Sequence, residues 1–235
     1  VHMLFTEHEK GKLLRIASRG NFSGTSRGSY WPASTIKLLP ALAMMRSRIN
    51  TRAVVRLKGF KGRISSLLRL SLARSSNTAH DALIDIIGAD NIHRTARALG
   101  LKHTAINLSY GRRGTFSRTP GHFIGGRHIK PRRATFKHPC RSNCTSLEDL
   151  QLLIRESIRY KDLRRYLRRR RGYLVRAVKR FLPLSLVYCK AGYVRRRESL
   201  VNCSFGKYAL TVVTKNKGEY KSDMRRAEAL GARVL

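Results

Sequence analysis

A serine three residues ahead of a lysine, at the start of an apolar run, is an arrangement that can build a nucleophile. The sequence offers it in Pro32-Ala33-Ser34-Thr35-Ile36-Lys37. One helical turn places Lys37 beside Ser34, so a buried, neutral lysine can take the hydroxyl proton while the helix N-terminus stabilises developing negative charge. Ser204-Phe205-Gly206-Lys207 repeats the spacing across an expected hairpin, where no helical turn aligns the pair, and is read as chance. Two further clusters stand out. Ser75-Ser76-Asn77-Thr78-Ala79 lies between two expected helices and by itself reads as a helix cap, because Ser and Asn are usual N-cap residues. Lys190-Ala191-Gly192 lies near the end of an expected strand and by itself reads as a strand terminus with a solvated lysine.

These groups need elements to hold them. Residues 12–18 predict a short strand, followed by a turn-rich stretch over 19–29. Residues 34–45 predict a buried helix that Pro40 should kink. Residues 64–73 and 78–87 predict two helices around the polar break at 74–77, and residues 92–99 a third, ended by Gly100. Thr145-Ser146-Leu147-Glu148 has capping-box form, with Leu147, Leu150, Ile154 and Ile158 following at helical spacing. Leu163, Leu167, Leu174, Val178 and Phe181 predict one more amphipathic helix, stopped by Pro183. Then the period changes: residues 186–192, 199–204 and 208–214 predict strands, joined by hairpins at about 195–197 and at Gly206-Lys207, before a terminal helix over 223–230. The pattern is α+β, with the first strand joining the last three in one antiparallel sheet. A single catalytic domain is expected over residues 1–235, with a sheet lobe from about 4–30 and 184–235 and a helical lobe of about 34–182.

Residues 111–144 interrupt the helical lobe with a long basic loop containing Gly and Pro but no acid, which reads as a lid, a binding element or a disordered insertion. The four cysteines are compatible with two disulfides. A hairpin turning at Arg196 sets Cys189 and Cys203 opposite each other and predicts a cross-strand disulfide, leaving Cys140 to pair with Cys144 inside the loop. His138-x-Cys140-x3-Cys144 is an irregular zinc spacing with no second ligand pair nearby, and no cofactor or metal is expected.

With 235 residues and 42% hydrophobic composition, the chain is too apolar for a disordered basic tail. Its longest apolar run, residues 38–45, is far short of the ~18 residues of a membrane span. Fifty Lys and Arg against 13 Asp and Glu leave a net charge of +37, which repels itself and points to an anionic partner: nucleic acid, an acidic membrane surface or a cell-wall polymer. Ten of the twenty residues from 161 to 180 are basic. Val1-His2-Met3 reads as a cloning remnant, so a secretory leader is expected to have been removed from an exported protein.

In this order and on these elements, the three motifs resemble those of the serine hydrolases that include class A β-lactamases and penicillin-binding D,D-peptidases, which carry S-x-x-K, S-D-N and K-T-G. Residues 32–39 (PASTIKLL), 75–88 (SSNTAHDALIDIIG) and 145–153 (TSLEDLQLL) are similar to the corresponding family segments. The resemblance implies a β-lactamase/transpeptidase-like fold, Ser34 as the acylated nucleophile and Lys37 as its base. It further implies that Ser75 relays a proton to the leaving nitrogen, Asn77 holds a substrate amide, and Lys190 adds positive potential from across the cleft. Substrate would lie along Ala191, Gly192 and Tyr193, with an oxyanion hole made by the backbone N–H groups of Ser34 and Tyr193.

The departures matter as well. Ser76 replaces the acid of S-D-N, and Ala191 replaces a threonine whose hydroxyl helps bind a substrate carboxylate; Arg195, Arg196 or Arg197 either supplies that recognition or belongs to a solvated hairpin. Ser34 and Ser75 are 41 positions apart, which implies a trimmed helical lobe. Gap-free alignment onward from Ser75 puts Tyr110 where class A enzymes hold the deacylating glutamate, and no Asp or Glu occurs between Asp90 and Glu148. A tyrosine with a pKa of ~10 is a poor general base at neutral pH. The expected function is acyl-enzyme formation on peptidoglycan-type peptides or β-lactams. Alternatives are a true β-lactamase with a non-standard deacylation group and a polyanion-binding protein on this scaffold. The expected partners are peptidoglycan or another anionic wall polymer, β-lactams as ligands, and nucleic acid only non-specifically.

Overall fold

A computed structural model describes residues 2–9, 12–17, 30–57, 60–106, 122–124, 127–129, 143–183, 185–193 and 198–215, together with 222, 224, 225, 228 and 229. The chain runs β1 (His2–Glu9), β2 (Lys12–Ala17), a 3-10 turn (Ala33–Lys37), α1 (Leu38–Arg46), β3 (Val54–Leu57), β4 (Phe60–Arg63), α2 (Ile64–Ala73), α3 (Asn77–Ile87) and α4 (Ala89–Ala98). It continues through β5 (His122–Ile124), β6 (Arg127–Ile129), α5 (Leu147–Arg159), α6 (Lys161–Leu167), β7 (Arg168–Arg169), α7 (Tyr173–Phe181), β8 (Val187–Tyr193), β9 (Glu198–Phe205) and β10 (Tyr208–Lys215). Two units result, one of Val1–Thr35 with Thr145–Leu235, the other of Ile36–Cys144.

The first unit is built on an antiparallel sheet in the order β2-β1-β10-β9-β8-β7. Two N-terminal strands replace the single one expected, and β1, which includes His2 and Met3, is the one that joins β10. Its polar residues hide it from a hydrophobic scan. Leu4 and Thr6 are both buried, and the Thr6 hydroxyl donates to Gln151 Oε1 at 2.6 Å while Gln151 Nε2 donates to the Leu4 carbonyl at 2.7 Å. Gln151 lies on α5, which covers one sheet face with Leu147, Leu150, Leu153 and Ile154. That anchoring places α5 with the sheet, although sequence reading had assigned it to the helical lobe. Its N-cap is Ser146, whose hydroxyl accepts from Asp149 N at 3.2 Å, one residue later than the capping box expected from Thr145. The other face packs Leu174, Val175 and Val178 of α7 against Val187, Val201, Phe205, Leu210 and Val212.

The helix expected from 163 to 181 is broken. Arg168 and Arg169 are extended and pair with Tyr188 and Val187 on β8, and the chain turns at Gly172 before α7 begins. Four consecutive arginines would stack like charges at helical spacing, and the extended edge spreads them apart. In the hairpin, Cys189 faces Cys203 as expected and is bonded to it, with Cα atoms 4.1 Å apart. The hairpin tip at 195–197 lies outside the described residues. Ser222, Met224, Arg225, Glu228 and Ala229 have helical backbone, in line with the terminal helix.

The second unit centres on α1, whose residues from Leu38 to Met44 are all buried. A kink at Pro40 is not required: the α-helix begins only at Leu38, so the proline sits in the first turn, where its missing N–H breaks no α-helical bond. Helices α2, α3 and α4 match the expected ranges within three residues. A second sheet, β4-β3-β5-β6, was not anticipated. Its strands have three or four residues, too few for periodicity to register, and β5 and β6 fall within the stretch read as a basic loop. Apart from Asn143 and Cys144, the rest of that stretch, with Cys140, lies outside the described residues. Cys144 is disulfide-bonded, which removes it as a zinc thiolate.

Candidate active site

The chain passes from one unit to the other through the 3-10 turn, and that turn carries both Ser34 and Lys37. An α-helical start was expected. The tighter 3-10 winding eclipses side chains at i and i+3, which sets serine and lysine on one face more directly.

On the sheet side, Pro32 and Ala33 are buried and Ser34 is half-buried. Tyr30 and Thr145 fix the chain entering the turn by exchanging backbone hydrogen bonds of 2.8 and 3.1 Å. Ala33 has φ +45°, an uncommon backbone for a residue with a Cβ and of a kind that persists where the surroundings hold it in place. Thr35 closes the turn, its N–H donating to the Pro32 carbonyl at 3.0 Å and its hydroxyl donating to the same oxygen. Strand β8 abuts this turn at Gly192. A Cβ there would lie 2.8 Å from Ala33 Cβ, 2.9 Å from Ser34 N and 3.2 Å from the Pro32 carbonyl oxygen. Lys190 shares a sheet face with Gly192 and is 4% exposed, so it is not the solvated strand-end lysine of the simpler reading. Ala191 and Tyr193 are half-buried on the alternate face.

In the helical unit, Lys37 is fully buried and its Nζ donates to the Ser75 carbonyl at 2.5 Å and to Asn77 Oδ1 at 2.6 Å. Burial lowers its pKa from 10.5 to about 8, and the nearby Asp81 carboxylate opposes that fall. Ser76, not its neighbours, is the helix cap: its hydroxyl accepts from Ala79 N at 3.2 Å. With capping assigned to the middle residue, Ser75 at φ +56° and Asn77 turn toward the lysine. Asn77, expected to hold a substrate amide, contributes its side-chain oxygen to Lys37 and is otherwise exposed.

Sequence reading missed Asp81. It is 1% exposed and lies one turn along α3 from Asn77; an acid inside the apolar run of α3 was the available signal. Tyr110 and Arg195 lie outside the described residues. Ser204 and Lys207 flank the β9–β10 turn, where exposed Lys207 pairs with Glu7 at 2.5 Å. Among the described residues no cluster of three or more His, Cys, Asp or Glu could hold a metal ion.

Residues 55–234 match the profile of the β-lactamase enzyme family. No curated protein matches the chain as a sequence. Among solved structures, it resembles a class A β-lactamase from Mycobacterium abscessus with a TM-score of 0.68 at 14% identity, covering 99% of this chain and 91% of that one. A β-lactamase from Sphaerobacter thermophilus gives a TM-score of 0.66 at 15% identity, covering 98% and 87%. A class A β-lactamase representative from Bacteroides cellulosilyticus gives 0.68 at 14%, covering 99% and 88%. At these identities the likeness is one of fold.

Proposed function

This chain belongs to the β-lactamase enzyme family, and we propose that it works as a serine acyl-transfer enzyme through Ser34, acylated by β-lactams and acting naturally on peptidoglycan-type peptides. The observation that carries this reading is Lys37: fully buried, depressed to about 8, and one 3-10 turn from Ser34. About a tenth of such a lysine is neutral at pH 7, against a negligible fraction at its ordinary pKa. Neutral Lys37 takes the Ser34 proton as Oγ bonds to the substrate carbonyl carbon. The N–H groups of Ser34 and Tyr193 hold the oxyanion, and Lys190 adds positive potential. When the C–N bond breaks, the proton passes from Lys37 through Ser75 to the leaving nitrogen, and the acyl group stays on Ser34. Asn77 acts here as an orienter of Lys37, with substrate running along Ala191, Gly192 and Tyr193.

Deacylation needs a base for water, and gap-free alignment to the family pattern puts Tyr110 where an acid would serve. The acyl-enzyme is therefore expected to persist. Incubation with a penicillin should leave a stoichiometric adduct in the intact mass spectrum over minutes. Rapid, burst-free hydrolysis would instead establish the second reading, a true β-lactamase with a non-standard deacylation group, which family membership favours.

The basic surface supports an anionic wall polymer as partner, ahead of the non-specific nucleic-acid binding that the same charge permits. Arg164, Arg165 and the four arginines at 168–171 are exposed, and Arg168 and Arg169 form the edge strand of the sheet. Arg164 and Arg165 lie on α6, whereas the arginines at 168–171 lie outside a helix and so escape like-charge pairing at helical spacing. Charge on an edge strand does block strand pairing between copies, yet two residues of strand need far fewer than six arginines for that. Charge reversal at Arg168–Arg171 should lower retention on purified wall polymer and flatten its salt dependence, whereas an unchanged salt titration would discard this surface as the docking site. The Cys189–Cys203 disulfide supports an exported location. No helix among the described residues is long and apolar enough to cross a membrane.

A further inference from the structure

Residues 36–144 contain three acids, Asp81, Asp85 and Asp90, in a strongly basic stretch. Asp81 is the most deeply buried of them, 1% exposed on α3. A carboxylate in that position is costly unless a cation or several donors face it. Helical spacing puts it on the same side of α3 as Asn77, one turn on, and Asn77 Oδ1 receives the Lys37 ammonium at 2.6 Å. Helix α1, which continues from Lys37, packs against α3 and α4. The other titratable or charged groups on these elements are distributed differently. On α3, His80 is buried and Asp85 lies a further turn away; on α4, His93 is buried with Nε2 accepting from Ile106 N at 3.4 Å, Asp90 is half-buried, and Arg94 and Arg97 lie outward. Exposed Arg46 closes α1, and Arg69 and Arg74 of the neighbouring α2 segment are exposed.

We propose that Asp81 is a positioning residue for Lys37, a buried carboxylate that holds the ammonium formed when Lys37 takes the Ser34 proton. The proposal rests on the acyl-transfer reading and deepens it. Without a counter-charge, proton transfer would create an isolated cation in a buried site; with Asp81 the transfer ends in an ion pair. The proton moves from Ser34 Oγ to Lys37 Nζ and onward to the leaving nitrogen, and Asp81 remains ionised throughout. A buried acid beside a histidine base works by the same logic, fixing the base and stabilising its protonated form. The Asp81 charge is also what opposes the depression of the Lys37 pKa by burial.

The test is an NMR titration of the Lys37 side chain in Ser34→Ala protein, which needs no turnover. The midpoint should fall below its parent position near 8 in Asp81→Asn, stay there in Asp85→Asn, and return toward it in Asp81→Glu. In Ser34-containing protein, the acid limb of the acylation rate should move with the midpoint. The unsubstituted chain provides a measurement independent of whether Asp81→Asn folds. Its Asp81 carboxyl 13C resonance should show a step at the Lys37 midpoint that disappears in Lys37→Met. An Asp81→Asn midpoint equal to the parent's, or an Asp81 resonance blind to Lys37, overturns the proposal. Failure of a penicillin to acylate the parent overturns the acyl-transfer reading instead, and the NMR result separates the two.

Discussion

Ser34→Ala should abolish covalent labelling by a penicillin, and Lys37→Met should slow it by ~10²–10⁴-fold, the usual contribution of a positioned general base. The two effects have different origins. Without Ser34 the turn keeps only the Thr35 hydroxyl, which is buried and donates to the Pro32 carbonyl. Without Lys37 the oxygen remains, but no group in the turn takes its proton, and the Ser75 carbonyl and Asn77 Oδ1 each lose a donor. Met fills the lysine's buried volume, so the structural loss should be confined to those two acceptors: Asn77 is exposed and its Oδ1 can turn to water, which leaves the Ser75 carbonyl as the larger loss, about 1–3 kcal/mol where it stays unpaired. Ser204→Ala is the matched control: its motif has the same spacing but lies at a strand end, and labelling should be unaffected. Equal labelling of Ser34→Ala and parent in the intact mass spectrum would remove Ser34 from the mechanism.

Ser34, Lys37 and the Ser75–Asn77 segment were legible in the sequence because their geometry is local: a single turn aligns the first pair, and a helix start organises the second. The Cys189–Cys203 pairing was legible for a similar reason, since a hairpin's register follows from its turn. What stayed hidden depends on tertiary partners. Strand β1 looks polar because Gln151, 145 positions after Thr6, satisfies its buried hydroxyl. Arg168 and Arg169 fall between apolar residues at helical spacing, Leu167 and Leu174, and only the open edge of β8 shows why they leave the helix. Asp81 stands out only as an acid inside the apolar run of α3, and its meaning appears only once Lys37 is found to donate to Asn77, one turn before it on the same helix. The class of reaction was thus legible through the family resemblance that these short motifs carry together, whereas the buried acid on α3 was not.

Gly192→Ala should cost acylation ~10²–10³-fold, far more than one methyl group would suggest, because of what the methyl meets. Gly192 is not needed for its dihedral freedom; it sits in regular strand, opposite Leu200. It is needed for space. The added Cβ would stand 2.9 Å from Ser34 N and 2.8 Å from Ala33 Cβ, so the obstacle is the turn itself and not a flexible side chain that can swing away. Either β8 or the turn must retreat by several tenths of an ångström. If the oxyanion sits between the N–H groups of Ser34 and Tyr193, that retreat opens the distance between donors whose value depends on fixed placement. The loss should therefore appear in the acylation rate constant more than in the affinity for intact β-lactam, alongside an overpacking penalty of about 1–3 kcal/mol in stability. Ala191→Thr changes the neighbouring residue on the alternate face and should leave the donors in place, so its acylation rate constant should stay within a fewfold of the parent's. Stopped-flow acylation of both variants at saturating β-lactam distinguishes these effects. A Gly192→Ala protein that acylates at the parent rate would mean that the contact between β8 and the turn does not form the wall of the oxyanion site, and the donor pair would have to be sought elsewhere.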